Sequence, residues 1–474
     1  MKWEVVMGLE VHAELSTQSK IFCGCSTVFG GEPNTNVCPV CSGMPGTLPK
    51  LNRAVVECAM RLGVALNCEI SKDCKFDRKN YFYPDLPKAY QVSQLYSPIC
   101  RGGFIEIEDK KIGINEIHME EDAGKLIHDP LSGGTLVDYN RCGVPLLEIV
   151  SKPDFRSGDE VISYLEKLRE TLLYLNICDC KMQEGSLRVD VNLSVRKPDG
   201  ELGTRTEMKN LNSFKAIARA IEYETRRQTD LLEDGEKITQ ETRRWDDDRG
   251  ESYAMRSKEN AQDYRYFPEP DLLPIKIADE WLENIKQTQP ELASQKRERY
   301  TTTLGISEKD AVVLTRHNKI SDLFEKIYAL TKNGAESANI ITGEIMRLMN
   351  ATKMLDEDLS LDAAKLAKII TLVTESKINR NAMKETIEAV FTTNADPDEY
   401  IAKNNLGMIN DDAKISEEVQ AAIADNPSAV ADYHAGKNKA FGFLMGQIMK
   451  RLKGAGNPET IKAMLEAKLK QEGA

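Results

Sequence analysis

Polar residues that can bind metal ions or phosphate alternate with apolar residues in several short segments of the first 210 residues. In GLEVHAEL, Glu10, His12 and Glu14 occupy every second position, and apolar residues stand between them. The segment GSLRVDVNLSVR alternates in the same way, with the polar positions Arg188, Asp190, Asn192, Ser194 and Arg196. Period-two alternation is typical of a strand with one buried face. Each segment therefore predicts a strand that presents its polar residues on one side.

Three further segments place acids and amides beside apolar residues. They are IHMEEDAGK, PLLEIV and RTEMKNLNSF, and their polar residues include His118, Glu120, Glu121, Glu148, Glu207, Lys209 and Asn210. If these strands share one sheet, carboxylates, an imidazole and several cations converge on one concave surface. A cluster of carboxylates is unfavourable unless a cation compensates it, so the pattern favours a site for Mg²⁺ and phosphate chemistry. A solvated sheet face, the usual role of a single alternating strand, is the alternative interpretation.

Two cysteine pairs stand close together in a loop rich in Gly, Pro and Asn. The stretch CGCSTVFGGEPNTNVCPVC contains Cys23-x-Cys25 and Cys38-x-x-Cys41. Four thiolates satisfy the tetrahedral preference of Zn²⁺, and two close pairs supply them with little strain. We predict a structural zinc site, because four protein ligands leave no open position for a substrate. A redox dithiol is the alternative.

The length and composition of the chain are those of a soluble protein with several domains. Its 474 residues are 29% charged and 41% hydrophobic, with a net charge of −12, and this length corresponds to about three domains. No apolar run reaches the length of a membrane span. Acidic residues near the N-terminus stand where a signal peptide would have its apolar core. We therefore expect a cytoplasmic protein with reduced cysteines and no membrane partner.

The periodicity of the sequence changes near residue 290. The first 290 residues combine alternating strands with two clear helices, expected at 159–175 and 213–232 with Asp159 and Ser213 as their N-caps. The rest of the chain has helical spacing, with a break rich in Gly and Asn at 404–412. We predict an α+β protein: a cradle domain with a mixed or antiparallel sheet (1–290), an all-α helical domain (291–405) and a small α-helical tail domain (406–474).

Several motifs resemble, in the same order, those of the B subunits of the tRNA-dependent amidotransferases. They include GLEVHAEL, KFDRKNYFYPDLPKAYQVSQ, HMEEDAGK, DYNRCGVPLLEIVSKPDFRS, EGSLRVDVNLSV, TRTEMKNLNSFKAI, ETRRW, DYRYFPEPDLLP and GKNKAFGFLMGQIMK. The resemblance extends over essentially the whole chain. It implies a heterotrimer with an amidase-type A subunit and a small C subunit. Such complexes convert Glu-tRNA(Gln) to Gln-tRNA(Gln), or Asp-tRNA(Asn) to Asn-tRNA(Asn).

The resemblance also implies a ligase reaction that consumes ATP. The cradle would bind ATP, Mg²⁺ and the misacylated 3′ end of the tRNA, and would phosphorylate the side-chain carboxylate. Ammonia released from glutamine by the A subunit would then attack the acyl phosphate, and polar residues of the DRKNYFYPDLPK loop and the HMEED segment would line its route.

The residues that match these roles fall into three sets. The catalytic candidates are Glu10, His12, Glu120, Glu121, Glu148 and Glu207. The candidate Mg²⁺ ligands among them are Glu10, His12, Glu121 and Glu148, and His12 is an unusual ligand for this ion. The candidates for binding phosphates or the acceptor end of the tRNA are Lys79, Lys88, Arg188, Asp190, Asn192 and Lys209.

The C-terminal end of the chain is basic and is expected to contact tRNA. From Lys437 onward there are eight basic residues and three acidic ones, which predicts docking of the tail on tRNA phosphates. Tyr81, Phe82 and Tyr83 can either stack on the terminal adenosine or pack in the core. Two hypotheses remain open: a subunit that carries the phosphorylation chemistry itself, and a non-catalytic tRNA-docking scaffold whose acidic strands are structural.

Overall fold

The chain forms two compact units that meet in sequence between Leu292 and Ala293. The structure, a computed structural model, describes residues 3–108, 110–128, 133–257, 261–408, 412–452 and 456–472. The first unit combines strands with helices and the second is helical, which confirms the predicted α+β class. The further division of the helical half near residue 405 stays a prediction, since residues 409–411 lie outside the described ranges.

The first unit contains the strands and four of the helices. Its strands are Glu4–Glu14 (β1), Glu69–Ile70 (β2), Asp73–Cys74 (β3), Asp77–Asn80 (β4), Tyr90–Ser93 (β5), Cys100–Arg101 (β6), Phe104–Ile107 (β7), Lys110–Glu121 (β8), Lys125–His128 (β9), Thr135–Asp138 (β10), Pro145–Ser151 (β11), Leu187–Arg196 (β12), Thr206–Lys209 (β13), Glu241–Asp246 (β14), Glu251–Ser257 (β15), Phe267–Pro268 (β16) and Ile275–Lys276 (β17). Its helices are Arg53–Ala65 (α1), Gly158–Tyr174 (α2), Phe214–Glu233 (α3) and Asp279–Gln287 (α4), with a 3₁₀ turn at Ala261–Tyr264.

A large mixed sheet organises the first unit. Its strand order is β15-β14-β13-β12-β1-β11-β8-β6-β2, and β7 also pairs with β8. Strands β13 and β14 are parallel, and the other neighbouring pairs are antiparallel. The five strands that carry the alternating polar residues, β13, β12, β1, β11 and β8, are consecutive neighbours in this order. Their polar faces therefore adjoin.

The other face of the sheet packs on helices α1, α2 and α3. Apolar residues that alternate with the polar ones, such as Val11, Ile149 and Val191, are fully buried in this core. Helix α3 lies against β12, and α1 lies against β8. Burying these side chains stabilises the unit by roughly 1.5–3 kcal/mol each, and this burial fixes which face of each strand turns towards the polar side.

The two helices expected within the sheet region are present, and one of their caps differs from the prediction. Ser213 caps α3 as predicted, and its Oγ accepts a hydrogen bond from the Ala216 amide at 3.0 Å. Helix α2 is instead capped by Ser157, whose Oγ accepts from the amide of Glu160. The prediction of Asp159 as the cap was wrong: this residue lies in the first turn, where its charge still favours the helix N-terminus.

The second unit is built from helices around two hydrophobic cores. Its helices are Ala293–Thr302 (α5), Glu308–Thr315 (α6), Asn318–Thr331 (α7), Gly334–Asn339 (α8), Met346–Thr352 (α9), Ala363–Thr374 (α10), Arg380–Thr393 (α11), Pro397–Asn404 (α12), Asp412–Asp425 (α13), Pro427–His434 (α14), Asn438–Arg451 (α15) and Pro458–Glu472 (α16), with a π-helical segment at Ile340–Ile345 and a 3₁₀ turn at Asp356–Asp358. One core contains Phe324 and Ile370, and the other contains Val419 and Leu465. None of the described helices combines the length and apolarity needed to cross a bilayer.

A buried carboxylate ties helix α3 to the sheet. Glu224 has no exposed surface, and its oxygens accept hydrogen bonds from Arg227 at 2.7 and 2.9 Å, from Gln228 at 2.9 Å and from Thr206 at 2.8 Å. Burial raises the pKa of Glu224, but these hydrogen bonds outweigh burial and leave the pKa below its usual range. Arg243 on β14 lies 3.5 Å from the same carboxylate.

We expect Glu224→Gln to lower the free energy of unfolding of the first unit by about 3 kcal/mol at pH 7, because it removes the fully buried charge that pairs with Arg227 and lies beside Arg243. The folded-state pKa lies below the unfolded value of about 4.3. The ionised carboxylate therefore stabilises the fold fully above that pH and loses this effect as the pH falls through the folded pKa. The deficit of the variant should shrink accordingly in acid.

Urea unfolding followed by tryptophan fluorescence tests this prediction, because all three tryptophans (Trp3, Trp245 and Trp281) belong to the first unit. The matched control is Glu222→Gln on the same helix, which breaks only an exposed pair with Arg226. Its expected effect is below about 0.5 kcal/mol. Equal effects of the two substitutions, or a Glu224→Gln deficit that does not change with pH, would contradict the prediction.

Candidate functional site

The polar face of the main sheet forms the floor of a cavity of about 850 Å³. Further lining comes from β4, from the turn that follows β8, and from the segment that precedes β12. The candidate catalytic and phosphate-binding residues that line the cavity are Glu10, His12, Lys79, Glu120, Glu148, Arg188, Asp190, Glu207 and Lys209, and Tyr81 and Asn210 line it as well. The structure therefore brings most of the predicted residues to one place.

The strand register sets the arrangement of these side chains. His12 on β1 lies opposite Glu148 on β11 and Arg188 on β12. Two residues earlier on the same face, Glu10 lies opposite Asp190 on β12. Residues two apart on a strand are about 7 Å apart along it, so the sheet presents two neighbouring rows of polar groups.

The first row contains a cluster of His12, Glu120 and Glu148, whose donor atoms all lie within 4.8 Å of one another. His12 Nε2 is 3.3 Å from Glu120 Oε1. Burial opposes protonation of His12, but the hydrogen bond with Glu120 and the charge of Glu148 raise its pKa. Burial and the charge of Glu120 raise the pKa of Glu148. Two carboxylates this close repel each other, and a cation between them would relieve the repulsion.

Glu10 and Asp190 of the second row form a cluster of three carboxylates with Glu207, which lies on β13 opposite Asn192. The donor atoms of the three also lie within 4.8 Å of one another. Glu10 accepts a hydrogen bond from Asn192 Nδ2 at 2.9 Å. Glu207 accepts one from Thr242 Oγ1, also at 2.9 Å. These bonds hold two of the carboxylates in place. A set of donors made only of oxygen fits Mg²⁺, and it includes Asp190, which the sequence had suggested only for phosphate or tRNA binding.

Several cations surround the two clusters. Lys209 pairs with Asp190 and lies 3.3 Å from Glu207. Arg188 donates two hydrogen bonds to Asp122, at 2.9 and 3.2 Å. Burial opposes the charge on Lys79, yet the acidic groups of Tyr266, Glu120 and Glu148 raise its pKa well above the usual range. The cavity is therefore lined by opposed acids and bases, as a site for a metal–phosphate complex requires.

The aromatic residues of the DRKNYFYPDLPK loop are placed in different surroundings. The Tyr81 ring packs edge-on against Tyr264, and the Tyr81 hydroxyl donates to Gln91 Oε1 at 3.1 Å. Lys79 Nζ lies 5.0 Å from the centroid of the Tyr264 ring. Phe82 is 86% exposed. Stacking of this loop on the terminal adenosine stays a prediction.

Glu121 and Lys88 are not placed with the other predicted residues. Lys88 Nζ lies 2.7 Å from Glu121 Oε2, and Glu121 Oε1 accepts from the amide of Val92. Both line a separate cavity of about 90 Å³. Neighbouring residues on a strand point to opposite faces, so Glu120 and Glu121 do not enter the same cluster.

The predicted Mg²⁺ set stays a prediction, and the geometry divides its members between different groups. Glu10, His12, Glu121 and Glu148 do not form one group in the described part of the chain, because Glu10 and His12 belong to different clusters and Glu121 to neither. Glu120 takes the place predicted for Glu121 beside His12 and Glu148.

Some lining residues were not singled out from the sequence. They include Asp122, Arg205, Thr242 and Tyr264. Each lies inside a motif that was recognised: Asp122 in HMEEDAGK, Arg205 in TRTEMKNLNSFKAI, Thr242 in ETRRW and Tyr264 in DYRYFPEPDLLP. The family motifs therefore contain these residues, but alternation within a single strand gave no reason to select them as site residues.

The four cysteines of the loop between β1 and α1 come together. The sulfur atoms of Cys23, Cys25, Cys38 and Cys41 lie within 4.8 Å of one another. Cys38 and Cys41 are 3.9 Å apart at sulfur, close to the ~3.8 Å edge of a zinc tetrahedron with 2.3 Å bonds and far from the ~2.05 Å of a disulfide. The buried Lys20 places Nζ 3.6 Å from Cys41 Sγ. The residues present therefore fit a metal ion such as zinc, with a cation beside the thiolates.

Both units match known families. Residues 5–283 match the family model of the GatB/GatE catalytic domain, and residues 322–469 match that of the GatB domain. The chain is 58% identical to the B subunit of the aspartyl/glutamyl-tRNA(Asn/Gln) amidotransferase of Lachnoclostridium phytofermentans, over 98% of each chain. It is 55% identical to the corresponding protein of Lachnospira eligens over 99% of each chain, and 54% identical to that of Caldicellulosiruptor bescii over 99% of this chain and all of the relative. The chain belongs to the family of amidotransferase B subunits, as its motifs predicted.

Proposed function

We propose that this chain is the subunit of a glutamine-dependent amidotransferase that activates the side-chain carboxylate of Glu-tRNA(Gln), Asp-tRNA(Asn) or both. The observation that supports this most directly is the pair of adjacent donor clusters on one sheet face, His12 with Glu120 and Glu148, and Glu10 with Asp190 and Glu207. Both line the same cavity. A solvated sheet face has no need for two such clusters side by side.

The proposed reaction has two chemical steps. An oxygen of the substrate carboxylate attacks the γ-phosphorus of ATP, and the bond from that phosphorus to ADP breaks, giving an acyl phosphate and ADP. The nitrogen of ammonia then attacks the acyl carbon, phosphate leaves with its bonding pair, and the nitrogen loses a proton to give the amide. Catalysis of the first step depends on positioning and on neutralising phosphate charge.

The carboxylate cluster of Glu10, Asp190 and Glu207 would hold Mg²⁺, which supplies positive charge opposite the phosphates. Among the described residues that line the cavity, Lys79, Lys125 and Arg205 are the cations that form no ion pair. They are therefore the cations that can bind phosphate without first breaking a pair. Asp122 would hold Arg188 in place through its two hydrogen bonds.

The chain would act with an amidase-type A subunit and a small C subunit, and ammonia would pass along the Lys88 and Glu121 side of the sheet. The tail would dock on tRNA. Arg451 is already paired with Glu418 and Asp425, so the contacts to phosphate would come from tail lysines that form no ion pair among the described residues, such as Lys439, Lys450 and Lys462. The four cysteines would hold a structural zinc ion.

The test uses this chain reconstituted with its A and C partners, with ATP, Mg²⁺ and ammonium chloride in place of glutamine. We expect ADP to form only when Glu-tRNA(Gln) or Asp-tRNA(Asn) is present, in equal amount to the amidated product. ADP formation that does not depend on tRNA, or amidation without ATP, would contradict the proposal. The scaffold hypothesis would instead be favoured if Lys450→Glu weakened tRNA binding while substitutions in both acidic clusters left turnover unchanged.

A further inference from the structure

A buried ion pair lies outside the two acidic clusters, in the small cavity of about 90 Å³. The side chain of Lys88 is 12% exposed and that of Glu121 is 3% exposed. A buried pair depends on good geometry, because a charge that loses its partner in the interior is strongly destabilising. Both partners therefore need rigid support from the surrounding chain.

The sheet supports Glu121 but not Lys88. Glu121 ends β8, its Oε1 accepts a hydrogen bond from the amide of Val92 at 2.9 Å, and its backbone carbonyl accepts one from Gln91 Nε2 at 2.7 Å. Lys88 lies between β4 and β5, outside the described strands. Ala89, which follows it, has a φ of +60°. No strand pairing fixes the backbone of Lys88, so another part of the chain must hold its side chain.

The loop between β1 and α1, residues 15–52, makes that contact, and we call it the cysteine loop. Gly43 in this loop has a φ of +67°, and a Cβ atom added there would lie 2.3 Å from Lys88 Cγ and 3.3 Å from Lys88 Cα. Glycine adopts such a φ without strain and has no side chain to keep the two segments apart. The stem of Lys88 therefore packs directly on the backbone of Gly43.

Gly43 belongs to the turn that carries two of the four clustered cysteines. Its amide donates a hydrogen bond to the carbonyl of Val40 at 3.1 Å, and the amide of Cys38 donates to Cys41 Sγ at 3.2 Å. Gly43 follows Cys41 by two residues. A metal ion bound by all four thiolates would tie this turn to the other end of the loop, which carries the remaining two cysteines.

The cysteine loop also forms one wall of the small cavity. Cys23, Cys41 and Gly43 line it from the loop side, and Lys88 and Glu121 line it from the opposite side. A cavity of this volume admits molecules of the size of water or ammonia. A displacement of the turn would therefore change the width of the cavity and the position of Lys88 together.

We propose that the cysteine loop positions Lys88. A metal ion on the four thiolates fixes the turn at Gly43, and this turn holds the Lys88 stem so that the ammonium group stays against Glu121. The inference rests on the proposed function, in which ammonia passes the Lys88–Glu121 pair. A fixed wall keeps this passage narrow, so that ammonia reaches the acyl phosphate and does not escape to solvent.

The first test compares lysine acetylation in the zinc-loaded and the zinc-depleted wild-type chain by peptide mass spectrometry. We expect zinc removal to accelerate acetylation of Lys88 by about fivefold or more and zinc addition to restore its protection. Lys276, whose side chain is 81% exposed in the same unit, is the control and should react equally in both states. Unchanged protection of Lys88 would overturn the inference. A simultaneous change in tryptophan emission would also overturn it, since the metal would then hold the whole unit.

The second test measures the reverse effect, because coupling between two sites is reciprocal at equilibrium. Lys88→Met and Lys88→Ala both remove the charge, but only Lys88→Ala removes the stem that packs on Gly43. We expect Lys88→Ala to raise the Kd for zinc about fivefold or more above that of Lys88→Met, measured by competition with a chromogenic chelator. Equal zinc affinities of the two variants would contradict the contact as the route of coupling.

The third test uses the complex reconstituted with its A and C partners. On zinc removal, the amount of glutamate released per amidated tRNA should rise severalfold with glutamine as the donor, while amidation with ammonium chloride should change little. An unchanged ratio, or an equal loss with both donors, would rule out a role in guiding ammonia. If the zinc-loaded complex amidated tRNA with neither donor, the proposed function would fail, and the acetylation and zinc-affinity results would still decide whether the loop positions Lys88.

Discussion

Glu148→Gln should reduce ammonia-dependent formation of Gln-tRNA(Gln) by about 10²-fold or more in the reconstituted complex. Glu148 lies within 4.8 Å of the donor atoms of both His12 and Glu120. It also approaches His118, whose Nδ1 is 3.7 Å from Glu148 Oε2. Replacing its carboxylate by an amide removes a negative charge from the centre of the cluster and with it a large part of the attraction for a divalent cation.

The stability of the fold should not fall with this substitution. Burial and the charge of Glu120 raise the pKa of Glu148, which means that the folded protein disfavours its ionised form. Glutamine has nearly the same volume, and its neutral side chain avoids the repulsion by Glu120. Loss of turnover without loss of stability is the signature of a functional role. It would separate the catalytic hypothesis from the scaffold hypothesis.

The control for this prediction is Glu4→Gln on the same strand as His12. Glu4 lies on the same face of β1, but it pairs with Arg196 at 2.6 Å and with Arg156 at 3.4 Å, and it does not line the large cavity. Turnover of this variant should remain close to that of the wild type, since half-exposed pairs contribute little. Turnover unchanged in Glu148→Gln as well would assign Glu148 to a structural sheet face.

Cys41→Ser should abolish zinc binding and loosen the loop between β1 and α1. In that loop the chain has no helix, and its only β-type pairing among the described residues is an isolated bridge between Ser19 and Ser26. A metal held by the four thiolates would thus be the main local cross-link, and structural zinc sites contribute directly to folding. We expect the wild-type chain to contain about one zinc ion and the variant to contain almost none.

Metal analysis and limited proteolysis check this prediction. The variant should be cleaved between Lys20 and Lys50 under conditions that leave the wild type intact. Cys58→Ser is the matched control, because Cys58 lies on α1 and is not part of the four-cysteine cluster. A wild-type chain free of zinc, or equal zinc content in the Cys41 and Cys58 variants, would contradict the structural zinc site.

The alternation of GLEVHAEL and GSLRVDVNLSVR was sufficient to predict which residues of each strand face the site. The side-chain direction within a strand depends only on the parity of the residue number, and the apolar residues between the polar ones fix which parity is buried. Glu10, His12, Arg188 and Asp190 all line the cavity for this reason. The same rule separates Glu121 from Glu120, since it follows directly after Glu120 on β8 and its side chain lines a different cavity.

The spacing of the cysteines was also sufficient to predict that the four side chains cluster. Cys23, Cys25, Cys38 and Cys41 are close in sequence, so a short loop is enough to bring them together. The buried Lys20 beside Cys41 was not foreseen, because a single lysine in a sequence gives no sign that its ammonium will be enclosed. Its position depends on carbonyl groups as distant as that of Tyr139.

The sequence by itself determined the class of the fold, the strands with one polar face, the cysteine cluster and the family. These follow from periodicity, local spacing and long motifs, which are properties of neighbouring residues. The tertiary structure decided the grouping: Asp190 with Glu10 and Glu207, Glu120 rather than Glu121 beside His12, and Lys88 against the backbone of Gly43. Such groups join residues as far apart as Glu10 and Glu207. They depend on strand order and register, and only packing of the whole sheet fixes those.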